Sequence, residues 1–199
     1  MTTFGPNGEV LSQPSASPAA PPDYSVPTTA KLKRVGLASF LCGMAACILV
    51  TLMGVTIMFL AYQIAGLFGV QLEPLFSDDG VLQGIAMATL MSAMNWYFGY
   101  FTIPAAWIAI AFSLGRLPRR GIVHPMPYYR WGAIWGAILV GGTTMIAAFF
   151  VASMNPLSAF GGLLMGALIG GGAGLICGAI FRGIVRPAEQ VKRIQVEVF

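Results

Sequence analysis

Charge is scarce in this chain. Only 9% of its 199 residues are Asp, Glu, Lys or Arg, while 57% are hydrophobic, whereas a soluble domain carries about 25% charged residues. A soluble globular core is excluded on that composition. Histidine is nearly absent, with His124 alone. A haem held by two histidines, a zinc centre and a histidine relay all need partners that the chain does not supply. The three cysteines, Cys42, Cys47 and Cys177, lie in apolar stretches, where they read as small hydrophobes and not as a disulfide framework. No metal or cofactor is expected.

The few charges also avoid the apolar stretches, and this excludes a second group of activities. Proton relays, voltage sensors and ion-coupled carriers place titratable side chains within the bundle. Hydrolases and transferases need them beside the reacting bond. Here the apolar stretches offer Asn95, Gln63 and scattered Ser and Thr. A non-enzymatic protein is therefore expected, and a lipid-modifying enzyme built on His124 and nearby arginines ranks lowest.

What the chain has in quantity is apolar length. Residues 37–69, 82–114, 131–154 and 159–181 each form a run long enough to cross about 30 Å of hydrocarbon, for which about 20 residues suffice. The fold class expected is all-α: a polytopic membrane protein with four transmembrane helices arranged as two helical hairpins. Lys31, Lys33 and Arg34 precede the first run; Arg116, Arg119, Arg120 and Arg130 separate the second from the third; Arg182, Arg186, Lys192 and Arg193 follow the fourth. The other two connections hold no Lys or Arg, and the first carries Glu73, Asp78 and Asp79. The positive-inside rule then places both ends in the cytoplasm, N-in and C-in, and a bacterial inner (plasma) membrane is the expected location.

The net charge of +4 is a topology signal with some attraction to anionic lipid, about 1 kcal/mol per basic residue near the surface. Nucleic acid is not an expected partner; membrane lipids are. Arg116, Arg119, Arg120 and Arg130 are candidates for headgroup contact, although the positive-inside rule already explains them.

Three segments follow. Residues 1–30 contain Pro6, Pro14, Pro18, Pro21, Pro22 and Pro27 among Ala, Ser and Thr and are expected to be a disordered cytoplasmic tail. Residues 31–184 form the membrane domain and 185–199 a short cytoplasmic tail, opening at Pro187 and ending in a strand-like alternation over 194–198. The basic cluster followed by an apolar run to Cys47 faintly resembles a lipoprotein signal. Residues 1–30 precede it and the run continues past Cys47, which argues against that reading.

The runs are unequal. Counting about 20 residues from the basic edge leaves remainders near 58–70 and 81–94, so the first hairpin is expected to overhang and the second to fit. Pro104 removes a backbone donor and clashes with the carbonyl of Tyr100, which predicts a kink. Asn95, Trp96, Tyr97, Phe98 and Tyr100 read as an outer aromatic belt with one interhelical hydrogen bond, ahead of a site for an apolar ligand; Tyr128, Tyr129, Trp131 and Trp135 read as the inner belt. Arg34, Val35 and Gly36 weakly echo Arg130, Trp131 and Gly132, so an internal duplication stays a minor hypothesis.

The most specific pattern is Gly162, Gly166, Gly170, Gly174 and Gly178, a glycine at every fourth position. Such a glycine zipper lets helix backbones approach closely where lipid gives no hydrophobic drive for association. In a hairpin turning at Asn155 and Pro156, Gly132 falls level with Gly178 and Gly136 with Gly174, leaving Gly162 and Gly166 for another helix. The expected function is an accessory, assembly or scaffold subunit of a membrane complex or homo-oligomer, joined to other subunits or to itself. The alternative is a small oligomeric channel or transporter for a small or apolar solute.

Overall fold

A computed structural model describes residues 34–69, 80–120 and 122–190, and every regular element among them is helical. α1 spans Val35–Phe68, α2 Val81–Ala93, α3 Gly99–Phe112, α4 Arg116–Arg119, α5 Met126–Val151 and α6 Pro156–Val185, with a 3-10 turn at Asn95–Phe98. Four helical stretches are long and apolar enough to cross a membrane: Val35–Phe68, Asn95–Arg119, Met126–Val151 and Pro156–Gln190. The described residues are thus all-helical, with four helices suited to a membrane-integral protein. The expected tail over 1–30, the carboxylates Glu73, Asp78 and Asp79, and the alternation over 194–198 lie outside the described residues.

α6 is the helix on which the others assemble. Pro156 opens it with a preset φ and no N–H to satisfy, and the Asn155 side chain accepts from the Leu157 N–H at 2.9 Å. It ends where Arg186 turns left-handed, at φ 45°. Its five spaced glycines all face α5. Gly178 lies on the backbone of Tyr128, Gly174 on Gly132, Gly170 on Gly136, and Gly162 on Thr144 and Ala148. Partner numbers rise as α6 numbers fall, so the two helices run in opposite directions.

Two expectations are corrected by this contact. The register is shifted by one helical turn, Gly132 meeting Gly174 and Gly136 meeting Gly170. The cause is the turn: Asn155 caps α6, so the reversal centres on Ser153 and Met154, both at positive φ. Gly162 and Gly166 are also not free. Thr144 reaches across, its Oγ1 donating to the Gly162 carbonyl at 2.8 Å, and Gly141 and Ala148 extend the line of small residues. The whole stripe is used inside the chain.

The other side of α6 receives α1 and α2. Gly84 sits on Ser158, Val81 on Gly161, and Met53 on Gly172; Val50 shares a core cluster with Ile169 and Ala173. At the basic end a second cluster joins Val35, Cys42, Leu114, Tyr128 and Phe181.

The second apolar run does not overhang α6. Val81 touches Gly161 while Leu114 shares a cluster with Phe181, so residues 81–114 pass the same length of α6 as residues 161–181, about 30 Å. The surplus is absorbed by dividing the run into α2 and α3 with a break at Asn95–Phe98. Asn95 favours that break because its amide leaves the helix, donating to the Cys47 carbonyl at 3.3 Å. Pro104 lies inside α3, which continues through it to Phe112. α1 does extend freely: Phe59 is 60%, Leu67 84% and Phe68 78% exposed, with Ala65 the one buried residue over 59–68.

Candidate functional site

The division of the second run leaves a gap. α3 presents Ala105, Ala106 and Ala109 towards α5, which presents Gly132 and Gly136. Small side chains meeting small ones bring backbones together only if the helices can close, and here α5 is already held against α6. α3 and α5 therefore meet only sparsely. Between them lies a cavity of about 380 Å³, floored by Gly170, Ala173 and Gly174 of α6 and closed at the back by Cys47 and Val50 of α1.

Its walls are apolar apart from a few hydroxyl, amide, thiol and indole groups, and among the described residues no Asp, Glu, Lys, Arg or His lines it. Most of the polar groups are paired. Asn95 Nδ2 reaches the Cys47 carbonyl and its Sγ, at 3.3 and 3.4 Å. Thr102 Oγ1 donates to Cys47 Sγ at 3.5 Å. Thr144 is engaged with Gly162. Ser92 Oγ and Trp135 Nε1 are buried with no hydrogen-bond partner.

The aromatic belts divide accordingly. Trp96, Tyr97 and Tyr100 face outward, Tyr100 at 92% exposure, whereas Asn95 and Phe98 line the cavity. Trp131 and Trp135 also line it and are not solely a belt. Tyr128 is core: it is fully buried, stacks on Phe181 at 6.1 Å, and its hydroxyl donates to the Ile122 carbonyl at 2.8 Å. Sequence reasoning missed the cavity because alanines at 105, 106 and 109 look like packing residues. Their coincidence with glycines at equal depth on α5 was the available signal.

Arg116, Arg119, Arg120 and Arg130 are exposed at one end of the bundle, Arg116 lying over the Phe112 ring at 5.3 Å. They converge on no cavity among the described residues, and His124 beside them is exposed. Among the described residues no group of His, Cys, Asp and Glu is placed to hold a metal ion.

In comparisons with known proteins, no family model, no curated protein and no solved structure matches the chain.

Proposed function

We propose that the chain is a non-enzymatic subunit of a membrane assembly, acting as an accessory, assembly or scaffold component in a bacterial inner membrane. Its four spans pair as two helical hairpins, with both termini cytoplasmic. The glycine zipper of α6 serves to lock the second hairpin, and docking falls to the first.

The observation that carries this reading is the outer end of α1. Over residues 59–68 every residue but Ala65 is exposed, Leu67 and Phe68 most of all, so only one small side chain is covered there. A lipid-facing helix of a packed bundle normally hides one side. Photo-crosslinking residues at Leu60, Ile64 and Leu67, in native membranes, test it against Ile138 on α5. Protein adducts are expected from the α1 positions. Lipid adducts alone, at the same level as from Ile138, would overturn the reading.

A second reading, an oligomeric channel or transporter for a small or apolar solute, is favoured by the cavity between α3 and α5. Solute flux in proteoliposomes decides it: a purified protein that moves no apolar solute leaves the subunit reading alone.

A further inference from the structure

Hydroxyls in these helices generally close on their own backbone. Ser39, Thr51 and Thr89 each donate to the carbonyl four residues earlier, at 2.9, 3.0 and 2.8 Å, as is usual for Ser and Thr in membrane helices. Ser92 and Ser158 do not: both Oγ atoms are buried without a partner, and of the two Ser92, 2% exposed, lines the cavity, from α2. Trp135 lines the same cavity from α5 and its indole N–H is likewise buried and unpaired. Buried Trp N–H groups normally find an acceptor, and leaving one such group unmade costs about 1–3 kcal/mol. Two of them meeting one void is unexpected in a finished core.

We propose that this cavity binds a small, neutral, largely apolar molecule whose oxygen acceptors, ketone or ester carbonyls, receive the Trp135 N–H and the Ser92 hydroxyl hydrogen. Indole nitrogen can only donate, which requires an acceptor on the ligand. Among the described residues none that lines the cavity is charged, so none of them would offset the desolvation of an ionised head. Val50, Met91 and Leu139 hold the apolar body. A volume of about 380 Å³ sits at the small end of the usual range of about 300–1,000 Å³, so a substituted ring or short chains fit and a whole phospholipid does not. The sparse contact of α3 with α5 gives such a molecule lateral access from the bilayer. The inference rests on neither reading of the whole protein: a subunit and a carrier would both retain the site.

The test is binding of two tritiated probes to the full-length protein in detergent. Decylubiquinone presents ring carbonyls and dioctanoylglycerol presents ester carbonyls. Saturable one-to-one binding of at least one is expected, and the preferred probe identifies the acceptor. Ser92→Ala and Trp135→Phe should each weaken it about three- to tenfold, the effect of one lost hydrogen bond. Ala106→Phe, which fills the cavity, should abolish it, and Ile138→Ala on the outer face of α5 should change nothing. If Ala106→Phe fails to fold, the Trp135→Phe result stands on its own, because it keeps the aromatic ring. No saturable binding of either probe, or binding untouched by Ser92→Ala and Trp135→Phe, overturns the proposal.

Discussion

Gly136 and Gly170 oppose each other across α5 and α6 so closely that a methyl group on either would run into the carbonyl oxygen of the other. The relation repeats one turn away, where Gly132 and Gly174 do the same. Close backbone approach multiplies dispersion and Cα–H···O contacts, the main attractions available between helices in lipid.

Alanine at Gly136 should therefore separate the helices and destabilise the protein by about 1–3 kcal/mol, as overpacking does elsewhere. Gly142 gives the contrast. A Cβ there meets nothing within 4 Å, so Gly142→Ala should be neutral or stabilise by about 0.5–1 kcal/mol through reduced backbone freedom. Thermal melting of both variants in one detergent makes the comparison, and equal shifts would refute it.

Thr143 and Thr144 are neighbours with different duties. Thr143 Oγ1 is exposed and bonds within its own helix, to the Leu139 carbonyl at 2.8 Å, while Thr144 Oγ1 lies 2.8 Å from both the Val140 carbonyl of its own helix and the Gly162 carbonyl of α6. Thr144→Val keeps the shape and should lose about 0.6 kcal/mol, the average for interhelical hydrogen bonds within a membrane protein, and at most about 1.7 kcal/mol. Thr143→Val should lose nothing resolvable. Reversible unfolding in mixed micelles reads both.

How much of this was legible in the sequence depends on the kind of force involved. Apolar length is a local property, so the four helices long and apolar enough to cross a membrane were readable. The glycine spacing also announced close packing by α6. Its partner's register was not readable to better than a turn, because that depends on whether Asn155 sits in the reversal or caps the next helix. Whether α2 overhangs depends on Gly84 fitting Ser158, a contact between distant segments that no periodicity encodes. The cavity is legible last of all, since the same alanines fill one interface and leave another open according to where α5 is held.

Tyr128 ties the basic loop to the bundle. Its hydroxyl donates to the Ile122 carbonyl at 2.8 Å while its ring stacks on Phe181. Tyr128→Phe keeps the stack and deletes the bond, for about 0.5–1.5 kcal/mol. Loosening should concentrate just before α5. Hydrogen exchange by mass spectrometry should show faster exchange around residues 122–125 with little change in α6, and uniform loosening of the whole bundle would contradict the local role.

Cys47 offers a chemical reporter on the break between α2 and α3. Its carbonyl and sulfur both receive the Asn95 amide, and Thr102 donates to the same sulfur at 3.5 Å, so three segments meet at one buried residue. Asn95→Ala removes two of these contacts and leaves the turn at Asn95–Phe98 tied to α1 by the long bond from the Cys47 thiol to the residue 95 carbonyl, at 3.8 Å. The cavity wall should then open beside Cys47, and a lipophilic maleimide should label it at least several-fold faster than in the parent. Cys42 supplies the internal control. It and Cys177 each donate to the other's carbonyl at 3.6 Å, well away from Asn95, so Cys42 labelling should stay slow in both proteins. Peptide mapping separates the sites. Equal acceleration at Cys42 and Cys47 would mean general unfolding; acceleration at Cys47 alone means that one asparagine holds the second crossing helix in its divided form.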